Sequence, residues 1–313
     1  MSRIHEALKK AEQERAATQG GAHAGLATTP VAETPAFARE SSVMAAAVAS
    51  PAIGPPSAMP AFASPFNLDT LLARCAQLEW KPDPATMLFS NGEDTRPGTE
   101  EFRTLRSRLY HTREKMTLKK LLVTSALPKE GKSFTSANLA QVLVRQHGRR
   151  ALLIDADLRG AQLHRMLGTV SSPGLSEYLQ GQNDEFSIMQ RGPFENLFFI
   201  PSGQQAVNPA ELVGNGRLKM LLQRVEPLFD WIIIDSPPAV PVADATILSK
   251  VCDGVLMVVR SNTTPFDMAR KARQEFPDQV LVGVVLNGTR QDEMPYSRYY
   301  YGAYEKKGTT GQA

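Results

Sequence analysis

The chain has 313 residues, with 35 basic and 32 acidic side chains and a net charge of +3 at pH 7. This length allows one or two domains with a sizeable core. The near-neutral charge does not favour a strongly basic nucleic-acid-binding protein, so no nucleic-acid partner is expected. The two cysteines, Cys75 and Cys252, are isolated and provide neither a zinc-site spacing nor a disulfide framework, which fits a reducing, cytoplasmic setting.

The N-terminal part of the sequence predicts an extension rather than a core. Residues 1–16 predict a short amphipathic helix capped by Ser2, either solvated and frayed or docked on a partner. Residues 17–66 are rich in Ala, Pro, Ser, Thr and Gly and predict a disordered, flexible tether. Prolines interrupt the apolar stretch 43–66, so it is not expected to span a membrane. A membrane location would therefore need another chain.

Residues 67–96 form a predicted connector with one short helix, which the breaker Lys81-Pro82-Asp83-Pro84 follows. The apolar face of that helix comprises Leu71, Leu72, Cys75 and Leu78. From 97 to 290, apolar runs alternate with helical patterns, as in parallel sheets that are buried on both faces. The runs predict strands at 121–124, 151–154, 197–200, 231–234, 254–259 and 280–285, and helices at 100–112, 133–146, 209–224 and 267–276. This alternation predicts an α/β domain with a doubly wound, mostly parallel sheet.

The strongest local signal is a phosphate-binding loop after the first predicted strand. The run Ala126-Leu127-Pro128-Lys129-Glu130-Gly131-Lys132-Ser133 fits the pattern [AG]-x4-G-K-[ST]. Backbone N–H groups at a helix N-terminus hold phosphates, Lys132 adds a cation for the β/γ-phosphates, and Ser133 adds a ligand for Mg²⁺. The loop lies between a predicted strand and a predicted helix, as such a loop requires. We expect ATP to contact Ala126, Lys129, Glu130, Gly131, Lys132, Ser133 and Phe134.

Three carboxylates follow two other predicted strands. Asp155 and Asp157 come directly after 151–154, and Asp235 comes directly after 231–234. The carboxyl ends of parallel strands share one edge of a sheet, so we expect these acids beside the phosphate loop. There they can hold Mg²⁺ or take a proton from an attacking hydroxyl. The alternative is that Asp155 or Asp235 only caps the N-terminus of the next helix.

These elements resemble the Walker A, A′ and B motifs of the bacterial protein-tyrosine kinases, the P-loop autokinases of capsule and exopolysaccharide synthesis. Two further matches are Pro201-Ser202-Gly203 and Asn208-Pro209-Ala210-Glu211-Leu212, which fit the PSG…NPxEL stretch of that family. Its ExxRxxR element is matched by Glu100, Arg103 and Arg106. The resemblance covers about 97–304, and the opening MSRIHEALKKAE resembles N-termini of exosortase-associated members. One departure is Ala126, which replaces the usual first glycine of the loop.

The resemblance implies a protein-tyrosine kinase that uses ATP and Mg²⁺. Catalysis and metal binding would involve Lys132, Ser133, Asp155, Asp157 and Asp235. The base would be Asp155 or Asp157, and we favour Asp155. The phosphoacceptors would be tyrosines in the C-terminal tail, 291–313, of a neighbouring subunit, namely Tyr296, Tyr299, Tyr300, Tyr301 and Tyr304.

The resemblance also implies partners. Glu100, Arg103 and Arg106 would lie at the interface of a ring-shaped homo-oligomer, although this spacing equally fits a solvated helix face. A separate membrane-spanning polysaccharide co-polymerase would act as activator, and a cognate phosphotyrosine phosphatase would reverse the reaction. The chain would be cytoplasmic and peripheral at the inner face of the plasma membrane.

The main alternative is a partitioning or septum-placing ATPase of the same fold, which switches between a nucleotide-bound dimer and a monomer. Those proteins have a signature lysine five residues before the second loop lysine. Here that position is Leu127, and Lys129 is out of register. A regulatory domain that binds nucleotide without turnover is a third possibility if the acids are misplaced. The tyrosine cluster could otherwise form an aromatic strand or a stacking surface for single-stranded nucleic acid.

Overall fold

A computed structural model describes residues 66–89, 96–146 and 148–289. The predicted helix 1–16 and almost all of the predicted tether 17–66 lie outside these residues. The predicted tail 291–313, with its five tyrosines, lies outside them as well. The fold described below is therefore that of the predicted connector and α/β domain.

An eight-stranded sheet forms the centre of the described part of the chain. Its strands are β1 Ala76–Gln77, β2 Lys120–Ser125, β3 Ala151–Asp155, β4 Gln190–Arg191, β5 Leu197–Ile200, β6 Trp231–Asp235, β7 Gly254–Arg260 and β8 Leu281–Asn287. The order across the sheet is β1-β4-β5-β3-β6-β2-β7-β8. Neighbours pair in parallel, apart from β4 with β5. The predicted mostly parallel α/β fold is confirmed, and all six predicted strands are present.

Helices cover both faces of the sheet. They are α1 Leu68–Arg74, α2 Thr99–Arg113, α3 Lys132–Val144, α4 Leu163–Leu167, α5 Leu175–Leu179, α6 Pro209–Gly214, α7 Arg217–Val225, α8 Asp244–Ser249 and α9 Phe266–Gln274. Within the described residues, no helix is both long and apolar enough to cross a membrane.

The prediction of one helix over 209–224 was wrong, because the chain forms α6 and α7 there. Gly216 has φ +85°, a left-handed conformation that ends a helix. The side-chain oxygen of Asn215 then accepts a hydrogen bond from the Arg217 N–H at 3.0 Å. A glycine and an asparagine in sequence thus divide the predicted helix in two.

The helix of the connector is shorter than predicted. It ends at Arg74, so Cys75 and Leu78 lie beyond it, and the predicted apolar face extends too far. The Leu78 N–H donates to the Arg191 carbonyl at 2.9 Å, since this part of the chain joins the sheet as β1. Trp80 and Phe89 are buried in the same core as the sheet. The connector is therefore packed onto the α/β domain.

Alternation along the strands produces two cores. On β3, Leu152 and Ile154 face the core that contains α5, α7 and α8. Ala151 and Leu153 face the opposite core, which contains α2, α3 and α4. Because both faces are covered, the strands are continuous apolar runs, and polar groups that belong to a site are confined to the carboxyl edge of the sheet.

Candidate active site

The loop 126–131 joins the carboxyl end of β2 to the start of α3. Lys129 has φ +65° and Gly131 has φ +96°, so the chain turns sharply before the helix begins at Lys132. A Cβ on Gly131 would lie only 2.0 Å from Asn287 Nδ2, which leaves no room for a side chain. The first turn of α3 leaves backbone N–H groups without helical partners. The loop therefore has the geometry of an anion-binding helix N-terminus.

Lys132 points into the site and is largely buried. Its Nζ lies 2.8 Å from Asp157 Oδ2 and 3.4 Å from Ser133 Oγ. Burial acts to lower the pKa of Lys132, but the carboxylates of Asp235 and Asp157 outweigh it and raise the pKa. The ammonium is thus held in its charged form, paired with a carboxylate from the end of β3.

Ser133 joins the loop to the third acid. Its Oγ donates a hydrogen bond to Asp235 Oδ2 at 2.6 Å. The other carboxylate oxygen lies 3.0 Å from Ser136 Oγ, one turn further along the same face of α3. Ser136 was not among the predicted site residues, although its i+3 spacing from Ser133 is a signal that could have found it.

Asp155, like Asp235, has a fully buried side chain. Its two oxygens accept backbone N–H groups of Asp157 and Leu163, each at 3.2 Å. In the sheet it is directly opposite Asp235, since β3 and β6 pair in that register. Burial, with the charges of Asp235 and Asp157, raises the pKa of Asp155 well above its ordinary value.

The structure therefore brings together Lys132, Ser133 and the three predicted acids. Burial also raises the pKa of Asp235, and the opposing influence of Lys132 and Ser133 does not cancel it. If all three acids were ionised, one ammonium would leave negative charge uncompensated in a nearly dry site, which is why the pKa values of Asp155 and Asp235 are raised. Such a site favours a bound cation.

The remaining predicted loop residues have different positions. Ala126 is fully buried in the core below the loop, while the Lys129 side chain is exposed. The carboxylate of Glu130 turns back into the loop, where Oε2 accepts the Leu127 N–H at 2.8 Å. Phe134 packs edge-on against a phenylalanine of α2. Some side chains of these predicted loop residues therefore stabilise the loop, and others lie on its surface.

Residues from distant segments hold the loop in place, and sequence reasoning missed them. Asn287, at the end of β8, donates to the Glu130 carbonyl at 2.9 Å. Arg260, at the end of β7, donates to the Lys129 carbonyl at 3.1 Å. Thr264 donates to the Glu130 carboxylate. These contacts depend on the order of strands in the sheet, so no motif of neighbouring residues predicts them.

A second missed pair braces the segment that follows β3. Arg159 Nε and Nη2 contact the two oxygens of Asp244 at 2.9 and 3.0 Å, a two-pronged ion pair. The backbone N–H groups of Arg159 and Gly160 donate to Asp157 Oδ1. Because the side chain of Arg159 contacts Asp244 and its backbone contacts Asp157, Arg159 links the position of the Asp157 carboxylate to α8.

The predicted ExxRxxR residues lie on α2, away from the acids. Arg103 forms an ion pair with Glu100, whose side chain is exposed. Arg106 instead donates to the Val142 carbonyl of α3 at 3.0 Å. One of the two arginines therefore already packs two helices of the same chain together.

The donor set fits magnesium together with a nucleotide. Mg²⁺ prefers a few protein oxygens completed by water and phosphate, rather than an all-protein cage. The Ser133 hydroxyl and the Asp235 carboxylate, 2.6 Å apart, supply such oxygens at the helix N-terminus. Among the residues that the structure describes, no group of three or more His, Cys, Asp or Glu side chains forms a metal cage.

The chain is similar in sequence to a known domain family and to several known proteins. Residues 129–268 match a family model described as an AAA domain. The tyrosine-protein kinase YwqD of Bacillus subtilis is 35% identical over 207 residues, which make up 65% of this chain and 86% of YwqD. The tyrosine-protein kinase Wzc of Salmonella typhimurium is 32% identical over 222 residues, or 70% of this chain, and the match spans 31% of Wzc.

Solved structures include similar domains. The kinase domain of the Escherichia coli tyrosine kinase ETK has 30% identity and a TM-score of 0.57, and the match covers 61% of this chain and 75% of that domain. Sequence, fold and the arrangement of loop and acids thus agree. The chain belongs to the bacterial tyrosine-protein kinase family.

Proposed function

We propose that the chain is an ATP-dependent autokinase that phosphorylates the tyrosines of its own C-terminal tail, in trans within an oligomer. The observation that carries this proposal is the convergence of Lys132, Ser133 and Asp235 with Asp155 and Asp157 at the N-terminus of α3. Phosphoryl transfer depends mainly on positioning and charge compensation, and these residues supply both.

Each residue has a distinct task in this mechanism. The loop backbone and Lys132 bind the phosphates of ATP, for which the ammonium must exchange its contact with Asp157 for phosphate oxygens. Ser133 and Asp235 would hold Mg²⁺, with Asp155 and Asp157 close by. When bound, the metal neutralises charge on the phosphates. Asp155 is the proposed base toward the tyrosine hydroxyl, because its raised pKa favours proton uptake.

The proposed setting follows the resemblance of the motifs. We place the chain in the cytoplasm at the inner face of the plasma membrane, held there by a separate membrane-spanning polysaccharide co-polymerase. In that setting the phosphorylated and unphosphorylated forms regulate exopolysaccharide or capsule synthesis and export, and a cognate phosphatase resets the tail. Each phosphate adds about −1.5 to −2 charges, so phosphorylation is expected to release the tail and loosen the ring.

The direct test is the intact mass of the purified protein after incubation with Mg-ATP, followed by phosphopeptide sequencing. The proposal predicts several added phosphates, all on the tail tyrosines. Hydrolysis of ATP without any phosphotyrosine would instead support the partitioning-type ATPase.

A further inference from the structure

The last described part of the connector contacts both helices that border the candidate active site. This segment, residues 80–89, forms a strap whose side chains Trp80, Met87 and Phe89 are buried in the core. One of the two helices is α3, which begins at Lys132, and the other is α4, which follows the acids of the β3 segment. Neither the phosphate loop nor the acid motif accounts for a segment in this place.

Asn138, in the middle of α3, binds the backbone of the strap. Its side chain is fully buried. Oδ1 accepts the Leu88 N–H at 2.8 Å, and Nδ2 donates to the Thr86 carbonyl at 2.9 Å. The same Nδ2 also donates to the carbonyl of Phe134, the residue after Ser133, at 2.9 Å. One buried amide thus satisfies a donor and an acceptor of the strap and connects them to the first turn of α3.

The other end of the strap is bound to the end of α4. The Lys81 N–H donates to the Gly168 carbonyl at 3.1 Å, and the Asp83 N–H donates to the Met166 carbonyl at 2.9 Å. Gly168 has φ +64°, and a Cβ there would lie 1.9 Å from the Lys81 carbonyl oxygen. The two backbones therefore approach so closely that only glycine fits.

The start of α4 is bound to the acid. The Leu163 N–H, at the first residue of the helix, donates to Asp155 Oδ2 at 3.2 Å. Five helical residues span about 7.5 Å, so the acid and the strap lie at opposite ends of one short element. A helix of five residues has little stability of its own, and its position depends on what packs against it. The strap thus helps to set the position of the N–H that holds Asp155.

The end of the strap has a second attachment to α3. Arg145, at the end of α3, donates to the Phe89 carbonyl, and its guanidinium carbon lies 5.2 Å from the centre of the Phe89 ring. The ring of Phe102 on α2 lies edge-on to the rings of Phe89 and Phe134, with centroids 6.3 and 5.8 Å away. Residue 89 is therefore fixed on the same helix that begins with the loop lysine.

We propose that the strap is a positioning element for phosphoryl transfer, with Asn138 as the positioning residue that fixes α3 relative to α4. The inference rests on the proposed role of Asp155, because the strap contacts no reacting group and acts through the position of that carboxylate. Ala140 and Leu143 pack α3 on the sheet without the strap, so the nucleotide site at its N-terminus persists when the strap is released. Release should therefore slow the transfer and spare the affinity for ATP.

Single-turnover kinetics in the full-length chain test the assignment. Asn138→Leu removes both bonds to the strap, and Gly168→Ala blocks the approach of the strap from the α4 end. We expect each to slow tyrosine phosphorylation about tenfold, with the Kd for Mg-ATP in calorimetry unchanged within about twofold. Gly216→Ala is the matched control for backbone strain, because it has φ +85° and nothing within 4 Å, and its rate should be normal. Normal rates in both strap variants would overturn the proposal.

The double variant separates positioning from two local defects. Because Asn138→Leu and Gly168→Ala release the same strap, their combination should be no slower than the slower single variant, within about twofold. A loss equal to the product of the two single losses would mean that each acts locally, and would overturn the proposal.

Hydrogen exchange provides a readout that does not depend on catalysis. The peptide 163–168 of Asn138→Leu should exchange about tenfold faster than that of the unsubstituted chain, since Leu163 is released by a change on another helix. In Gly216→Ala its exchange should be unchanged. Unchanged exchange in Asn138→Leu would refute the strap while the kinase function stands. Faster exchange, with no phosphotyrosine formed even by the unsubstituted chain, would refute the autokinase and support the link from Asn138 to α4.

Discussion

Lys132 Nζ lies 2.8 Å from Asp157 Oδ2, so the cation of the phosphate loop is paired with the segment that follows β3. Both side chains are nearly buried, and removal of Lys132 would leave the Asp157 carboxylate without its ion-pair partner. Binding of phosphates at this loop is thereby coupled to the acid segment. The pair orients the ammonium before the nucleotide arrives.

Replacing the loop lysine removes this cation. We expect Lys132→Met to lower the rate of phosphotyrosine formation on the order of 100-fold or more, because charge stabilisation of the transferred phosphoryl group is lost. The rate is measured by mass spectrometry with purified protein and Mg-ATP. Lys271→Met, an exposed lysine of α9, is the control and should behave like the unsubstituted chain. Robust labelling of Lys132→Met would contradict the mechanism.

The proposed base can be separated from its neighbour. Asp155→Asn keeps the shape of the side chain but removes its ability to take a proton. We expect the single-turnover rate of tyrosine phosphorylation to fall about 10²–10⁴-fold, with ATP still bound. Asp157→Asn is the comparison. A larger loss in Asp157→Asn, with Asp155→Asn near normal, would assign the base to Asp157.

Gly131 offers a sharp test of the loop geometry. An alanine there meets Asn287 Nδ2 at 2.0 Å in addition to the strain of φ +96°, so we expect nucleotide binding to be lost. Gly216→Ala is the matched control, because it has φ +85° and nothing within 4 Å. Both variants should lose about 1–2 kcal/mol of unfolding free energy from the left-handed conformation. Equal ATP affinity of the two variants in calorimetry would show that the clash is irrelevant.

The tail tyrosines are expected to be the acceptors. Replacement of Tyr296, Tyr299, Tyr300, Tyr301 and Tyr304 by Phe should remove most of the phosphate while ATP affinity is unchanged. Intact mass and phosphopeptide mapping report the first quantity, and calorimetry reports the second. Phosphates found on residues outside the tail would refute this assignment.

The ExxRxxR residues are predicted to hold the oligomer together. Arg103→Ala combined with Arg106→Ala should lower the molar mass measured by light scattering. Arg106 also bonds to the Val142 carbonyl, so its loss alone should cost about 1 kcal/mol of unfolding free energy. Arg108→Ala, an exposed arginine of the same helix, controls for the change in charge. An unchanged molar mass in the double variant would indicate that these residues lie on a solvated helix face and not at an interface.

The predictions from sequence are correct where the pattern involves residues that are close together in the chain. Strands buried on both faces read as apolar runs, so β3 and β6 were identified together with the acids at their ends. The two-residue strands β1 and β4 and the five-residue helices α4 and α5 are too short to show a period. Gly216 indicates the break between α6 and α7. The break was not predicted, because the apolar pattern of a helix continues on both sides of this glycine.

The sequence by itself determined the chemistry of this protein, namely a phosphate loop, three strand-end acids and a tyrosine-rich tail. Those features are set by residues close in the chain. Only the tertiary structure decided that Lys132 pairs with Asp157, that Asn287 packs against Gly131, and that Asp155 lies opposite Asp235. The physical reason is the sheet order, which brings segments far apart in sequence to one edge.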